Sequence, residues 1–385
     1  MKIFFISFQG LDKRGSPLGM VRIMEHIADA LRIDLTYFVS FTPKNYKFFK
    51  RISLVHQIFA KFIWSIGVRL KFHIGLMRYI QEVSFDFHVA RKIKYPCLLV
   101  SSAIIPTAAK RNLNAGGINI YIAANPYDSY IKNILKEEEA TFNLQIISAY
   151  NYQPRLIFID RFLNIQNLII SQSLITYKSF HNFNNVIHKN FELLPDSLVF
   201  PDLPFLKKNK LTFIYIGSSI WLKGLPYLVK AWNNLNPSDA QLIIAGPIYD
   251  DVLNSIKSNL IDSIKLIGFV PTENLNKLYR ECHVCIVPSL IDDHPANIAE
   301  AMYCGLPVIA TDGCGSSDLI VHGKNGFITP SRDANALADK IKWFIENENK
   351  ITFMGKNSRI IIDSINQKKQ AEDISNIIKN NLFNC

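Results

Sequence analysis

Blocks of apolar residues and blocks of mixed polarity alternate along this chain. Short runs that are apolar throughout are typical of strands buried on both faces of a sheet. Between them lie longer stretches whose apolar residues recur every three or four positions, which predicts helices. In the first half of the chain the predicted strands cover residues 2–8, 35–41, 97–101, 118–123 and 168–171.

The same alternation begins again after residues 194–210. That segment carries three prolines and three lysines and has no helical or strand period, so we predict a linker. Predicted strands follow at 211–216, 241–245, 264–267, 284–287 and 308–311, with helices between them. Strands that alternate with helices indicate a parallel sheet covered on both faces.

We therefore predict an α/β protein made of two Rossmann-like β/α/β domains that face each other across a cleft. The N-terminal domain covers residues 1–200 and the C-terminal domain residues 206–365, while a last helix over 366–385 returns to the N-terminal domain. Ligands of open α/β sheets bind outside the carboxyl ends of the strands, so we expect the functional residues there.

Composition excludes some classes of protein and indicates the compartment in which this one is found. Hydrophobic residues make up 49% and charged residues 19% of the chain, which excludes a disordered protein. Six cysteines in 385 residues suit a reducing compartment. We find no export signal and no apolar run of the roughly 20 residues that would span a membrane, so we expect a cytoplasmic protein.

The net charge of +11 is concentrated in one segment. Residues 44–94 hold eleven Lys and Arg against two Asp and Glu. A nucleic-acid-binding protein would spread its basic residues more widely, so we predict no nucleic acid partner. Phe59, Phe62, Ile66 and Leu70 recur at helical spacing among these charges, which favours contact with an anionic membrane surface. The alternative is a helix that packs on the sheet and keeps its lysines in solvent.

The segment 288–311 carries the strongest chemical signal. Asp292 and Glu300 are eight positions apart, and Pro295 is placed as the first residue of a helix with Asp293 or His294 near its cap. The amides at the start of that helix could receive a phosphate, and the two carboxylates could bind sugar hydroxyls. Taken alone, the pattern also fits an ordinary capped helix with a solvated glutamate.

Two further loops follow predicted strands. Lys223 lies between the strand 211–216 and a helix, where a lysine suits a diphosphate, although a solvated lysine is equally compatible with the pattern. The loop 15–19 has the sequence GSPLG, which matches neither G-x-G-x-x-G nor a G-x-x-x-x-G-K phosphate loop. Cys282, His283 and Cys285 lack a second ligand pair, so we predict no metal site.

The segment IDDHPANIAEAMYCGLPVIATDGCGSSDLIVHGKNGFITP resembles the donor-site signature of the family 4 (group 1) retaining glycosyltransferases, which have the GT-B fold. The resemblance continues upstream through YIGSSIWLKGLPYLVKAW, IIAG and IKLIGFVPTENLNKLYRECHVCIVPS in the order that the family shows. It covers residues 168–346 well. The first half of the chain resembles the family only at its beginning, where a predicted strand is followed by a glycine loop and a helix.

The resemblance implies a role for each matching residue. Glu300 would bind the nucleotide ribose, Asp292 the donor sugar, and Lys223 the diphosphate together with the backbone amides near Ala296 and Asn297; these three side chains would be the catalytic ones. Gly19 would approach the diphosphate from the acceptor domain. The donor-binding set that the resemblance implies is Gly19, Gly217, Ser218, Lys223, Asp292, Asp293, His294, Ala296, Asn297 and Glu300.

The implied activity is transfer of a sugar, with retention, from a nucleotide-diphosphate sugar to a glycan or lipid-linked acceptor in surface polysaccharide or lipopolysaccharide synthesis. No metal or other cofactor is implied. Two departures stand out, since Asp292 replaces the usual Glu and Ser218 and Ser219 occupy a position where the family often has Arg. They leave open a non-catalytic GT-B scaffold of a glycan assembly complex. Among enzymes, a nucleotide-sugar epimerase or a glycoside phosphorylase on the same architecture is the alternative.

Overall fold

The computed structural model describes residues 3–7, 24, 29, 35–39, 49–51, 54–189, 210–365 and 367–382. The chain divides into two compact units. The first comprises Met1–Asp196 together with Asn366–Cys385, and the second comprises Ser197–Ile365. The predicted linker over residues 194–210 lies almost entirely outside the described residues.

The first unit is built on a parallel sheet of seven strands in the order β3-β2-β1-β4-β5-β6-β7. Its strands are β1 (Ile3–Ser7), β2 (Leu35–Val39), β3 (Phe49–Arg51), β4 (Leu98–Ser101), β5 (Ile118–Ala123), β6 (Leu168–Ser171) and β7 (Val186–His188). The pattern does not predict β3 and β7, because each has only three residues and β3 contains two cations.

Helices of the first unit follow the strands in the βα order that the alternation predicts. They are α1 (Leu54–Arg69), α2 (Ile74–Lys92), α3 (Pro106–Asn114), α4 (Asp128–Phe142), α5 (Gln153–Leu163), α6 (Leu174–Ser179) and, at the end of the chain, α13 (Gln367–Leu382). In the described part of the chain, no helix combines the length and apolar character needed to cross a bilayer.

The core of the first unit forms where α2 and α5 pack on the sheet. Phe85 and Val89 of α2 and Phe162 of α5 are buried against the apolar strands. A buried ion network lies inside the unit, where Arg155 donates to both carboxylate oxygens of Glu82 at 2.9 and 3.0 Å and also contacts Asp128. This ion network joins three helices, α2, α4 and α5.

The second unit has a parallel sheet of six strands in the order β10-β9-β8-β11-β12-β13. Its strands are β8 (Leu211–Ile216), β9 (Ala240–Ala245), β10 (Ile264–Gly268), β11 (Val284–Val287), β12 (Val308–Thr311) and β13 (Gly326–Thr329). The strand order reverses between β8 and β11. Ligands of open α/β sheets bind at such a switch point, outside the carboxyl ends of the strands.

The helices of the second unit are α7 (Leu225–Leu235), α8 (Asp250–Ile256), α9 (Thr272–Arg280), α10 (Ala296–Tyr303), α11 (Ala334–Glu346) and α12 (Glu348–Asp363). Both α7 and α10 therefore begin at the switch point, each after the loop that leaves β8 or β11. The fold places the loop that carries Lys223 and the start of the segment 288–311 side by side at the carboxyl ends of β8 and β11.

Candidate active site

The loop after β8 forms one wall of the candidate site. It begins at Gly217, whose amide donates to the Ala245 carbonyl at 3.0 Å, and passes through a short 3-10 helix, Trp221–Lys223. Ser218 is exposed at its start, whereas Ser219 is buried and its hydroxyl donates to the Tyr215 hydroxyl at 3.3 Å. Of the two serines, only Ser218 is open to a ligand from solvent.

Gly224 ends this loop and brings it against the loop that follows β11. Its φ of +66° lies in the left-handed region, and a Cβ at this position would overlap the carbonyl oxygen of Pro288. The two loops are also joined by a hydrogen bond from the Leu290 amide to the Leu222 carbonyl at 2.8 Å. Glycine is thus required where the two halves of the site touch.

Lys223 and Asp292 meet across these two loops, although they are 69 positions apart in the sequence. The Lys223 ammonium forms an ion pair with the Asp292 carboxylate, and the two side chains are 27% and 15% exposed. The backbone of Asp292 is fixed on both sides, because its amide donates to Gly313 at 2.9 Å and its carbonyl accepts from Gly315 at 2.7 Å. The pair is therefore held in place and still open to solvent.

The adjacent carboxylate has a different environment. Asp293 is only 3% exposed, and its Oδ2 lies 3.5 Å from Nδ1 of His294. His294 Nδ1 also lies 2.7 Å from the Asp293 carbonyl oxygen, so the ring is held close to its own loop. Of the two neighbouring aspartates, Asp292 is the one that lies beside Lys223 and reaches solvent.

Helix α10 begins one residue later than the sequence predicts. Pro295 precedes the helix with ψ of 104° and Ala296 is the first helical residue, so the expectation that Pro295 opens the helix is wrong by one position. Neither Asp293 nor His294 caps it, since no side chain caps this helix. Ala296 is exposed, which leaves the amino end of α10 accessible.

Asn297 ties the start of α10 to the end of β8. Its side-chain amide donates to the Ile216 carbonyl at 2.7 Å, while its Oδ1 is buried and has no hydrogen-bond partner within the described residues. The sequence predicts only backbone contacts to a ligand from this position. The structure adds a positioning contact, which holds the amino end of α10 beside Gly217.

Glu300 lies one turn inside α10 and is held by a residue that sequence reasoning missed. The Tyr279 hydroxyl, at the end of α9, donates to Glu300 Oε2 at 2.8 Å. Tyr279 is fully buried, and burial together with the neighbouring Glu300 carboxylate raises its pKa well above the usual value, so it stays a donor at neutral pH. No motif marks Tyr279, because its role depends on the packing of α9 against α10.

Some of the predicted site residues contact each other in the structure, and one lies outside the described residues. Lys223 contacts Asp292, and Asn297 contacts the end of β8 next to Gly217, while Glu300 is positioned separately by Tyr279. Gly19 lies outside the described residues. Among the residues that the structure places, no group of three or more His, Cys, Asp or Glu side chains could hold a metal ion.

Comparisons with known proteins show which family the second half of the chain resembles. Residues 202–381 match the family model of the glycosyl transferases group 1. The chain is 27% identical over 146 residues to an uncharacterized glycosyltransferase of Methanocaldococcus jannaschii, which covers 38% of this chain and 41% of that protein. It is 36% identical over 86 residues to the amylovoran biosynthesis glycosyltransferase AmsK of Erwinia amylovora, which covers 21% of each.

A solved structure extends the likeness of fold to the whole chain. The crystal structure of Anabaena HepE in complex with UDP and glucose aligns with a TM-score of 0.62 at 16% identity, covering 99% of this chain and all of HepE. The matched segments span less than half the length of the two curated relatives.

Residues 202–381 of this chain thus match the group 1 glycosyl transferases, and the chain has the GT-B fold, which confirms the resemblance found in the sequence.

Proposed function

We propose that this protein is a retaining glycosyltransferase that moves a sugar from a nucleotide-diphosphate sugar to a glycan or lipid-linked acceptor. The observation that carries the proposal is the Lys223–Asp292 ion pair next to the uncapped amino end of α10, with Glu300 one turn further along the same helix. This arrangement offers positive charge for a diphosphate and carboxylates for sugar hydroxyls within one rigid part of the second unit.

The diphosphate would take the positive end of the site. When it binds, the Lys223 ammonium would exchange part of its contact with Asp292 for the phosphate oxygens, and the amides of Ala296 and Asn297 at the start of α10 would add the helix dipole. Fixed positive charge stabilises the leaving diphosphate while the bond between the sugar's anomeric carbon and the diphosphate oxygen breaks. We propose that these groups supply the charge without a metal ion or another cofactor.

The two carboxylates would take the sugars. Glu300 would accept hydrogen bonds from the ribose hydroxyls, while Asp292, once it shares Lys223 with the diphosphate, would bind a hydroxyl of the transferred sugar. His294 lies on the same loop as Asp292, and Ser218 lies on the loop that carries Lys223. The acceptor hydroxyl then bonds to the anomeric carbon on the side that the diphosphate leaves. Its proton passes to the departing diphosphate, which explains retention without a separate base.

We propose a surface glycan as the product, made at the cytoplasmic face of the membrane. One relative is named for amylovoran biosynthesis, and the HepE structure holds UDP and glucose, which supports a nucleoside-diphosphate hexose as donor here. A lipid-linked acceptor accords with the basic segment 44–94, and we propose that the protein is a peripheral membrane protein through that segment.

Replacing Glu300 tests the assignment of the nucleotide. We expect Glu300→Gln to weaken nucleoside-diphosphate binding about 10- to 100-fold, because hydrogen bonds to a charged group contribute about 1.5–3 kcal/mol. The glutamine can still accept from Tyr279, so the melting temperature should change little. Calorimetric titration with UDP, GDP, ADP and dTDP measures the effect, and Glu348→Gln on the exposed start of α12 is the matched control.

Assays of donor hydrolysis and sugar transfer distinguish a glycosyltransferase from a non-catalytic scaffold and from an epimerase. We expect slow hydrolysis of one nucleotide sugar by the wild-type protein, unchanged by EDTA and lost with Glu300→Gln. Binding of a diphosphate without hydrolysis or transfer of any donor would favour the non-catalytic scaffold. Interconversion of free nucleotide sugars without an acceptor would favour the epimerase.

Tyr279→Phe tests whether Tyr279 acts by positioning Glu300. Removing one buried hydroxyl should cost about 1 kcal/mol of stability and raise the donor KM roughly 2- to 10-fold while kcat stays near the wild-type value. A purely structural role would lower stability without moving KM. Steady-state kinetics together with thermal unfolding distinguish the two results.

A further inference from the structure

Helices α1 and α2 form a hairpin whose outer surface is apolar and uncovered within the described residues. α1 (Leu54–Arg69) packs on α2 (Ile74–Lys92) at Gly67, where a Cβ would overlap the side chain of Met77. Gly67 is the buried residue of α1 among those whose exposure is described. Among the α1 residues whose exposure is described, Ile63 and Ile66 are half-buried and the others apart from Gly67 are exposed.

The outward surface is made of large apolar side chains. Ile58 is 60% exposed, Phe62 58%, and Leu70, at the tip of the hairpin, 61%. With a step of about 100° per residue, Ile58 and Phe62 lie on the side of α1 opposite Gly67. The large exposed apolar residues of the hairpin are Ile58, Phe59, Phe62, Trp64, Val68, Leu70, Phe72, Val83 and Phe87, and we call this set the apolar face.

Singly exposed apolar residues are common on soluble proteins, but a group of nine on one hairpin is not. A concentration of exposed apolar residues of this kind marks a site of contact with a protein or a membrane. The charge around the apolar face indicates whether a protein or a membrane is its partner.

Exposed charge on the hairpin has a single sign. Lys61, Arg69 and Lys71 are exposed among the apolar residues, and Arg91 lies at the end of α2 with its guanidinium 4.4 Å from the ring centre of Phe87. The two acidic residues of 54–94 are Glu82 and Asp86, 6% and 1% exposed.

Both of these carboxylates are used inside the unit. Glu82 pairs with Arg155 and Arg78, and Asp86 accepts from the amides of Thr107 and Ala108 at the start of α3 at 2.8 and 3.0 Å. Within residues 54–94, the apolar face therefore has cations around it and no carboxylate that reaches solvent.

A second copy of the chain does not match this surface. In a two-fold interface the same patch meets itself, so Lys61, Arg69 and Lys71 would approach the same cations of the other copy. An anionic bilayer offers the opposite charge together with an apolar interior a few ångströms deeper.

We propose that the α1–α2 hairpin docks on an anionic lipid surface, with α1 lying in the plane of the headgroups. Ile58 and Phe62 would enter the acyl boundary, while Lys61 and Arg69 would stay at the level of the lipid phosphates. Trp64 has the amphipathic ring that favours this interface. The inference gives the membrane location in the proposed function a specific surface, and lipid binding is measured without donor or acceptor, so its failure would leave sugar transfer untouched.

Sedimentation with vesicles tests the apolar contribution. We expect the wild-type protein to bind vesicles of phosphatidylcholine with about a third phosphatidylglycerol and to bind pure phosphatidylcholine at least 10-fold more weakly. The double variant Ile58→Ser and Phe62→Ser should lose at least 10-fold in binding at an unchanged melting temperature. Phe353→Ser with Ile360→Ser is the matched control, since these α12 residues are 63% and 67% exposed, and it should bind like the wild type.

Neutralising two cations tests the electrostatic contribution. Each basic residue near an anionic surface contributes about 1 kcal/mol, so Lys61→Gln with Arg69→Gln should lower binding about 30-fold at 1.4 kcal/mol per tenfold. Lys350→Gln with Lys356→Gln, both exposed on α12, should change it little. A blue shift of Trp64 emission on adding anionic vesicles, absent in Trp64→Phe, should accompany binding.

Three results would overturn the proposal: equal binding to neutral and anionic vesicles, unchanged binding by the Ile58/Phe62 variant, or no binding by a wild-type protein that self-associates through these residues. The last would assign the apolar face to a second copy of the chain.

Discussion

Lys223→Met is expected to reduce sugar transfer about 10²- to 10³-fold, the largest effect on activity in this account. Removing one preorganised group that stabilises developing negative charge costs that much in comparable sites. Ser218 and Ser219 stand where the family often has an arginine, so more of the leaving group's charge falls to Lys223. The loss should appear in kcat for transfer and for hydrolysis of the donor alike.

Two controls separate catalysis from folding. Lys223→Met leaves Asp292 without its ion pair, so the double variant Lys223→Met with Asp292→Asn shows whether an uncompensated carboxylate contributes to the loss. Lys230→Met, on the exposed side of α7, should retain full activity. Transfer at more than a third of the wild-type rate by Lys223→Met would remove Lys223 from the mechanism.

Gly224→Ala is expected to destabilise the second unit by about 2–5 kcal/mol. A residue with a Cβ pays about 1–2 kcal/mol in the left-handed region, and overlap with the Pro288 carbonyl adds about 1–3 kcal/mol because that atom belongs to backbone. Relief of the overlap must part the β8 and β11 loops. Since these loops hold Lys223 and Asp292, nucleotide binding should fall with stability.

Gly323→Ala is the matched control for this change. Gly323 has a φ of +79° and no heavy atom within 4 Å of the position that a Cβ would occupy, so it should pay the conformational cost alone, about 1–2 kcal/mol. Denaturant unfolding of both variants measures the difference. Equal losses in the two variants would show that the contact between the loops contributes nothing.

The strand and helix order of the second unit follows from the sequence, because its buried strands are apolar throughout. β8 and β11 begin and end at the predicted residues, and α10 begins one residue after the predicted Pro295. The strand β13 is not predicted, since it begins with glycine and only Phe327 and Ile328 of its four residues are large and apolar. The four-residue strand β11 is predicted because all of its residues are apolar.

The candidate site is predicted only in part. A spacing of eight positions brings Asp292 and Glu300 to one loop and helix, but it does not show which neighbouring aspartate faces Lys223. Burial of Asp293 and the ion pair of Asp292 depend on how two loops pack. The contacts from Tyr279 to Glu300 and from Asn297 to Ile216 join elements that are distant in the sequence, and no local pattern encodes them.

Chemical labelling of Lys223 with and without nucleoside diphosphates shows whether a diphosphate binds at this lysine. Trace acetylation, quantified by mass spectrometry of each lysine, reports whether a ligand covers the ammonium. We expect one of UDP, GDP, ADP or dTDP to slow the labelling of Lys223 at least severalfold while Lys230 is unaffected. An unchanged rate at Lys223 with all four nucleotides would contradict the assignment of the diphosphate to this site.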